Sequence, residues 1–451
     1  MSTQRVRPSK QYALVHPAIA IVVFWLGLYG LYGLAPIRQT PSPGGIGLVF
    51  NFAFVVLFAS SAWLASIPIV STPQDPLSGH RREMPTGARL VALLAFIGCV
   101  GAVLGILSKA GAAPLNALID AASLRNERAQ QLMDADTITS GPAGALAFLT
   151  YPAGYVAVYV AMLRFEQLTN TARRLALLFV PLAFTQSVVA GGRSGIVVLL
   201  ILISIAAYVR RHRGARAIPQ SAAVKWLGRV LVILFLVYSS TIWFVRAELS
   251  DLTSDGFLTL ADASWGVVPT PALQAFATST GQPELLQIMI STIFYLTSSL
   301  SVTERVLSMV NVPTLLGGYH IDLAAGLLRT SPEGRQFLSD GYERLLDANV
   351  YGFFTGAWSA LYIDFGALGA VAYTVIWGLL AGRTFRAMTR FGSDADAAMY
   401  GFWFYSVLIS FVSPPLGFSN SAITLCWFLA FVVAMRIRQI RQTRKIRWSR
   451  T

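Results

Sequence analysis

Residues 191–213 read Gly-Gly-Arg-Ser-Gly-Ile-Val-Val-Leu-Leu-Ile-Leu-Ile-Ser-Ile-Ala-Ala-Tyr-Val-Arg-Arg-His-Arg. The run from Gly195 to Val209 is continuously apolar and does not alternate with polar residues, which predicts a helix and not a half-solvated strand. It opens on a glycine turn with one arginine and closes on the cluster Arg210-Arg211-His212-Arg213. A basic cluster at one end of an apolar run marks the cytoplasmic end of a membrane span.

Ten such runs divide the chain, near 12–34, 46–70, 90–108, 143–163, 175–190, 195–209, 226–245, 358–381, 397–412 and 421–435. With 55% hydrophobic and 12% charged residues and a mean hydropathy of +0.59, a soluble fold of this size is excluded. A lipid-facing backbone must satisfy its own polar groups, so the expected class is all-α: a single transmembrane domain over 1–451 with about ten helices. The first run exceeds the apolar core of a cleavable signal and lacks a small-residue cleavage site, so it is expected to stay as an anchor. Cys99 and Cys426 both fall inside spans, as small apolar residues do, and imply neither a disulfide nor a metal site.

Alternation of the spans sorts the charge. Of 35 Lys and Arg, 25 fall in the two tails and the four loops that share a side with them, whereas 16 of 21 acids fall opposite. Both termini are therefore expected in the cytoplasm of a multi-pass inner-membrane protein. The pI near 10.1 is then a topological signature and requires no nucleic acid. The cytoplasmic loops hold no P-loop, G-x-G-x-x-G or D-x-D element, which counts against nucleotide-driven chemistry on that side.

Function is expected on the opposite, periplasmic side, where two loops are enlarged: 109–142, with a predicted helical core over 115–133, and 246–357. A connection of the latter length should be folded. Within it, 285–302 is apolar but carries six Ser/Thr. Read as a span, it would place the basic C-terminal tail outside, so a re-entrant or interfacial helix is predicted.

The candidate groups on this side are few. Arg193 in the glycine turn suits bidentate capture of a phosphate, with neighbouring N–H groups forming an anion-binding concavity; interfacial snorkelling is the plainer reading. Arg246 ends the seventh span two residues before Glu248. Arg125 and Arg128 share a helix face. Tyr319, His320 and Asp322 follow, then Arg344. Asp364 stands in an apolar stretch at the outer end of the eighth span, and an ionisable residue at membrane depth is a functional hypothesis by default. Tyr351, Phe353, Phe354 and Trp358 offer either sugar-stacking faces or an interfacial belt. No Ser-His-Asp order, zinc spacing or calcium loop is present, so neither a metal nor another cofactor is expected.

Gly191-Gly192-Arg193-Ser194-Gly195 between two spans resembles the Gly-x-Arg-Ser-Gly element of bacterial oligosaccharide repeat-unit polymerases, the Wzy-type O-antigen polymerases. Asn349-Val350-Tyr351-Gly352-Phe353-Phe354, then Tyr362-Ile363-Asp364-Phe365-Gly366 and Gly369, resemble the segment leading into that family's late span. The motif match covers about 30 positions. Two features differ: the Arg with Gly eleven positions later that some members carry in both large external loops is absent, and Ala348-Asn349 stands where related O-antigen ligases have His-Asn.

The resemblance implies a membrane-embedded, GT-C-like glycosyltransferase of polysaccharide or lipopolysaccharide biosynthesis. The growing glycan would move from undecaprenyl diphosphate onto a new lipid-linked repeat unit. In that reading Arg193 and Arg246 stabilise the departing diphosphate, Glu248, His320 and Asp364 are candidate bases, and Arg125, Arg128, Arg344, Tyr319, Asn349 and Tyr351 hold substrate. Implied partners are the lipid-linked oligosaccharide, membrane lipids, a chain-length regulator and a repeat-unit flippase. A lipid-linked glycan transporter or an O-antigen ligase are the rival readings.

Overall fold

The computed structural model describes residues 13–40, 45–68, 87–110, 141–190, 192–249, 258–259, 261–281, 283–350 and 354–448. The predicted helix over 115–133, with Arg125 and Arg128, lies outside these residues, as does Tyr351. Fifteen α-helices are described: α1 Pro17–Leu34, α2 Gly45–Ser66, α3 Ala88–Ala110, α4 Pro142–Thr150, α5 Pro152–Leu163, α6 Asn170–Val189, α7 Ser194–His212, α8 Ala222–Leu249, α9 Pro271–Thr280, α10 Pro283–Ser308, α11 Asp322–Leu328, α12 Pro332–Asp347, α13 Gly356–Arg390, α14 Asp394–Leu408 and α15 Ser421–Trp448. The exception to an all-α chain is a pair of three-residue strands, β1 Ile37–Gln39 and β2 Val267–Pro269, which run antiparallel with Ile37 opposite Pro269. The stretch after the first span is thus an edge on which the large loop docks.

Ten helices among the described residues are long and apolar enough to cross a membrane, so the chain is a multi-pass membrane protein. Their side chains sort by packing and not by polarity. Val23, Val49, Val103 and Leu236 are exposed, while Trp25, Phe58, Phe179 and Phe431 are buried. That is the expected arrangement where lipid is as apolar as the core and helices are held together by close packing. Gly98 of α3 meets Gly154 of α5 backbone to backbone, where an added Cβ would lie 2.4 Å from the Gly154 Cα.

Hydrogen bonds divide the bundle into two ends. At one, Arg164 Nε and Arg213 Nη1 both reach Asp394 Oδ1, at 2.9 and 3.0 Å. Arg210 pairs with Glu166 at 2.7 Å, Arg386 caps the Ile67 carbonyl, and Tyr208 and Tyr400 bind the carbonyls of Ala13 and Val15. Arg438 of α15 abuts Gly87. The first described residues and the end of α15 therefore lie at this same, basic end. The described ends of α1, α6 and α14, and the starts of α2, α7 and α15, lie at the other.

Two elements differ from the sequence reading. The ninth predicted run becomes α14, only 15 residues long and buried along nearly all of its length. Other helices surround it, so it need not present a full span to lipid. Conversely, α10 is among the ten long apolar helices. Contacts near both of its ends nevertheless lead to the less basic end, while Leu300 joins the main core. Leu286, Ile290 and Phe294 pack with Ile37 and Val267, and Gln39 Nε2 donates to Thr297 Oγ1 at 2.7 Å. The Gly47 N–H donates to Glu304 Oε2 at 2.8 Å, Asn51 Nδ2 donates to Thr303 Oγ1, and Val302 and Val306 pack with Leu315 and Ile363. These partners are the β1 strand and the outer ends of α2 and α13.

Candidate functional site

The eighth predicted span is interrupted. Gly366 adopts φ 65°, ψ −175°, splitting α13 into a short outer helix from Gly356 and a longer inner one to Arg390. That conformation is essentially restricted to glycine. The break strands carbonyls at the end of the outer segment, and the loop after α10 takes them up. The Leu315 and Leu316 N–H groups donate to the Ile363 and Asp364 carbonyls at 3.1 and 2.8 Å. The α12 helix holds this loop from behind, with Tyr342 Oη donating to the Gly318 carbonyl at 2.7 Å.

The same loop surrounds the Asp364 carboxylate. Tyr319 N–H donates to Oδ1 at 2.9 Å, His320 N–H donates to Oδ2 at 3.1 Å, and His320 Nδ1 closes a short contact on Oδ2. Asp364 is fully buried and the His320 side chain is 2% exposed. Two backbone donors and an imidazole satisfy the carboxylate, as a buried charge requires. With Nδ1 committed to Asp364, the remaining ring nitrogen, Nε2, is fixed as the one available for chemistry. Nε2 is buried and has no hydrogen-bond partner among the described residues.

Across from the dyad lies the turn before α15. Gly417 packs against the His320 ring and carbonyl so tightly that a Cβ would sit 2.7 Å from the carbonyl oxygen. Ser419 and Asn420 both have left-handed backbones, at φ 48° and 63°. Asn420 is 4% exposed; its Nδ2 donates to the Phe148 carbonyl at 2.5 Å, while its Oδ1 has no partner among the described residues. The Tyr151 hydroxyl lies against Ser419 and Asn420, and Tyr405 and Ser421 share a hydrogen bond of 3.0 Å nearby.

Asp322 joins the two walls. Its side chain is solvent-accessible yet lies deep among neighbouring atoms, as a residue lining a recess does. That crowding raises its pKa above the ordinary carboxylate value, opposed chiefly by the Asn420 N–H. A buried polar atom without a partner costs about 1–3 kcal/mol. Two of them, His320 Nε2 and Asn420 Oδ1, flank one accessible carboxylate with a raised pKa. One carboxyl of raised pKa beside buried, unpartnered polar atoms in a recess is a functional-site pattern.

Arg193 is the N-cap of α7 at the same end of the bundle. Its guanidinium carbon lies 5.4 Å from the centre of the Tyr295 ring on α10, and Tyr295 packs edge-on against Phe354 at 4.4 Å. The glycine turn is therefore met by the large loop's long helix. Gly192 is not left-handed and a Cβ there would meet only Ser194 Oγ, at 3.9 Å, whereas Gly195 is a close-approach position. A Cβ there would lie 2.6 Å from Ser187 Oγ and 2.8 Å from the Tyr155 hydroxyl.

The other predicted residues scatter. For Arg246 and Glu248 the structure describes only the backbone, at the end of α8. Arg344 is exposed on α12, away from the face buried through Leu338, Gly341 and Leu345. Asn349 is a helix terminator: at φ 52° its N–H binds the Leu346 carbonyl while the Val350 N–H binds the Leu345 carbonyl, a Schellman closure of α12. Trp358 offers no sugar-stacking face, because it is fully buried among Trp25, Phe54 and Trp377.

Asp322 was visible in sequence as a neighbour of His320, without a role. Asn420, Tyr151 and Gly417 carried no local signal beyond the Pro414-Pro415…Gly417 turn, since they reach His320 only through the fold. Among the described residues, no group of three His, Cys, Asp or Glu side chains is placed to hold a metal ion. No protein-family profile, curated protein or solved structure matches this chain.

Proposed function

We propose that this membrane protein is a repeat-unit polymerase that transfers a glycan from undecaprenyl diphosphate to a new lipid-linked repeat at the periplasmic face. The observation that carries the reading is the His320–Asp364 dyad. It is built at the break of a membrane helix, beside the accessible Asp322 and at the same end of the bundle as Arg193.

The acceptor hydroxyl attacks the anomeric carbon, the bond from that carbon to the diphosphate oxygen breaks, and the diphosphate leaves with the electron pair. The hydroxyl proton passes to a base in the recess. Asp322, accessible and with a raised pKa, suits that role, because a base works best when its pKa approaches the working pH. His320, oriented by Asp364, positions the hydroxyl through Nε2 or shares the proton. Arg193 meets the charge that develops on the diphosphate, a type of contact worth about 2.7–4 kcal/mol of barrier when removed. Arg246 belongs to the same role by its place at the end of α8. No nucleotide enters the scheme, since the bond energy resides in the lipid diphosphate.

The break at Gly366 also favours a second reading, a carrier for lipid-linked glycans, because interrupted helices build substrate sites in transporters. One experiment separates the two. The purified protein is reconstituted in lipid with short lipid-diphosphate-linked repeats and no nucleotide sugar. A product ladder spaced by one repeat supports the polymerase; intact substrate moved across the bilayer, without a ladder, replaces it with the carrier.

A further inference from the structure

A large cavity lies among helices other than those that build the dyad, in the basic half of the bundle. Its volume is about 770 Å³, and it runs between α8 and the helices α5, α6 and α7. That size is in the range, about 300–1,000 Å³, of pockets that enclose a small ligand. The walls are apolar, with Met162, Val180, Leu200 and Leu231 among them, while Lys225 and Arg229 mark one rim. The cavity exists because α8 stands off from its neighbours. Val224 and Leu231 are buried in the core and Leu227 and Phe235 pack partly against it, whereas Val232, Ile233, Leu234 and Leu236 are exposed.

Lys225 and Arg229 are four residues apart on α8, so they share one helical face, and both line the cavity. They lie towards the basic end, since Met162, whose carbonyl accepts from Arg210, lines the same cavity. An apolar slot open to the bilayer, with two cations at the headgroup level, complements one molecular type: an acyl chain bearing a phosphate. We infer that this groove binds an anionic phospholipid, its tail along α5–α7 and its phosphate between Lys225 and Arg229. An undecaprenyl chain, several-fold longer than an acyl tail, would overrun the slot. The inference does not depend on the polymerase reading, because neither Asp364 nor Asp322 lines the groove.

The test is native mass spectrometry of the full-length protein in detergent, titrated with phosphatidylglycerol or phosphatidylcholine of the same chains. A basic residue near a membrane surface contributes about 1 kcal/mol towards an anionic lipid, so phosphatidylglycerol is expected to bind about tenfold to thirtyfold more tightly. The Lys225→Ala/Arg229→Ala variant should lose that preference while keeping the weaker binding common to both lipids. Gly228 lines the cavity, and its Cβ position faces open space. Gly228→Trp should therefore fill the slot without a clash and weaken both lipids, with the melting temperature unchanged.

Equal binding of the two lipids, or a preference that survives the double substitution, overturns the charge assignment. Undiminished binding to Gly228→Trp overturns the location. Tighter binding of a long-chain prenyl phosphate than of phosphatidylglycerol, lost in Gly228→Trp, reassigns the groove to a substrate chain.

Discussion

Asp364→Asn perturbs the site with almost no change in volume. In the native protein the carboxylate accepts from three donors: Tyr319 N–H on Oδ1, and His320 N–H and Nδ1–H on Oδ2. An amide has one acceptor oxygen. If that oxygen keeps Tyr319, the new NH2 group faces the His320 N–H and strands it, at a cost of about 1–3 kcal/mol. The same NH2 donates to Nδ1, which drives the ring proton onto Nε2 and removes the lone pair needed to accept a proton. General acid–base catalysis contributes about 10²–10⁴-fold, and a wrong histidine tautomer in the serine-protease triad costs about 10⁴. The ladder assay should therefore show kcat reduced by at least 10², with KM for the lipid-linked repeat little changed. Thermal unfolding followed by tryptophan emission should show the stability loss separately. A variant that unfolds earlier yet polymerises within threefold of wild type would reduce the dyad to a structural brace. One that keeps full stability would refute the hydrogen-bond accounting itself.

Four further outcomes follow from the geometry. Gly195→Ala should destabilise by about 1–3 kcal/mol, the usual cost of overpacking, whereas Gly192→Ala should be near neutral; equal melting curves would remove the close-approach reading. Asp394→Ala leaves Arg164 and Arg213 facing each other without their shared carboxylate, so a loss of about 3–5 kcal/mol is expected, and an unchanged melting temperature would contradict it. In a Cys426→Ser background, Thr280→Cys and Val310→Cys should both react with a membrane-impermeant maleimide applied from the periplasmic side; labelling of the two from opposite sides would make α10 a span. Asp322 holds its proton more tightly in the folded state, so its contribution to stability declines as pH rises from the ordinary carboxylate range through the raised value. As a base it gives the acid limb of the rate profile a midpoint above that range, and Asp322→Asn should abolish that limb; an identical limb in the variant would exclude it as the base.

The apolar runs and the alternation of basic loops were legible because a span imposes a length and a charge asymmetry on contiguous residues. The polar face of α10 was legible for a different reason: Ser/Thr recur along it, and Thr297 and the adjoining Thr303 meet Gln39, Asn51 and Ser359, which lipid does not offer. The break at Gly366 was not read, since a glycine inside an apolar stretch looks the same whether it packs or bends. Asp364 and His320 were each singled out, but their pairing spans 44 residues and no periodicity connects them. Trp358 misled for the opposite reason. A residue type common in sugar sites also serves as a core filler, and only burial distinguishes the uses.

The hydrogen bond from Trp25 Nε1 to Ser410 Oγ, 2.9 Å long and buried, joins positions 385 residues apart. At about 5–20 residues per second of synthesis, α1 waits roughly 20–80 s for that acceptor to emerge. Asn51 waits for Thr303, and the carbonyl of Phe148 for Asn420. The outer end of the bundle is thus the last part to acquire its partners, although its first helices enter the bilayer at the start. Nascent chains carry unmated polar groups at membrane depth through most of their translation, and a chain truncated before α15 lacks one wall of the Asp322 recess.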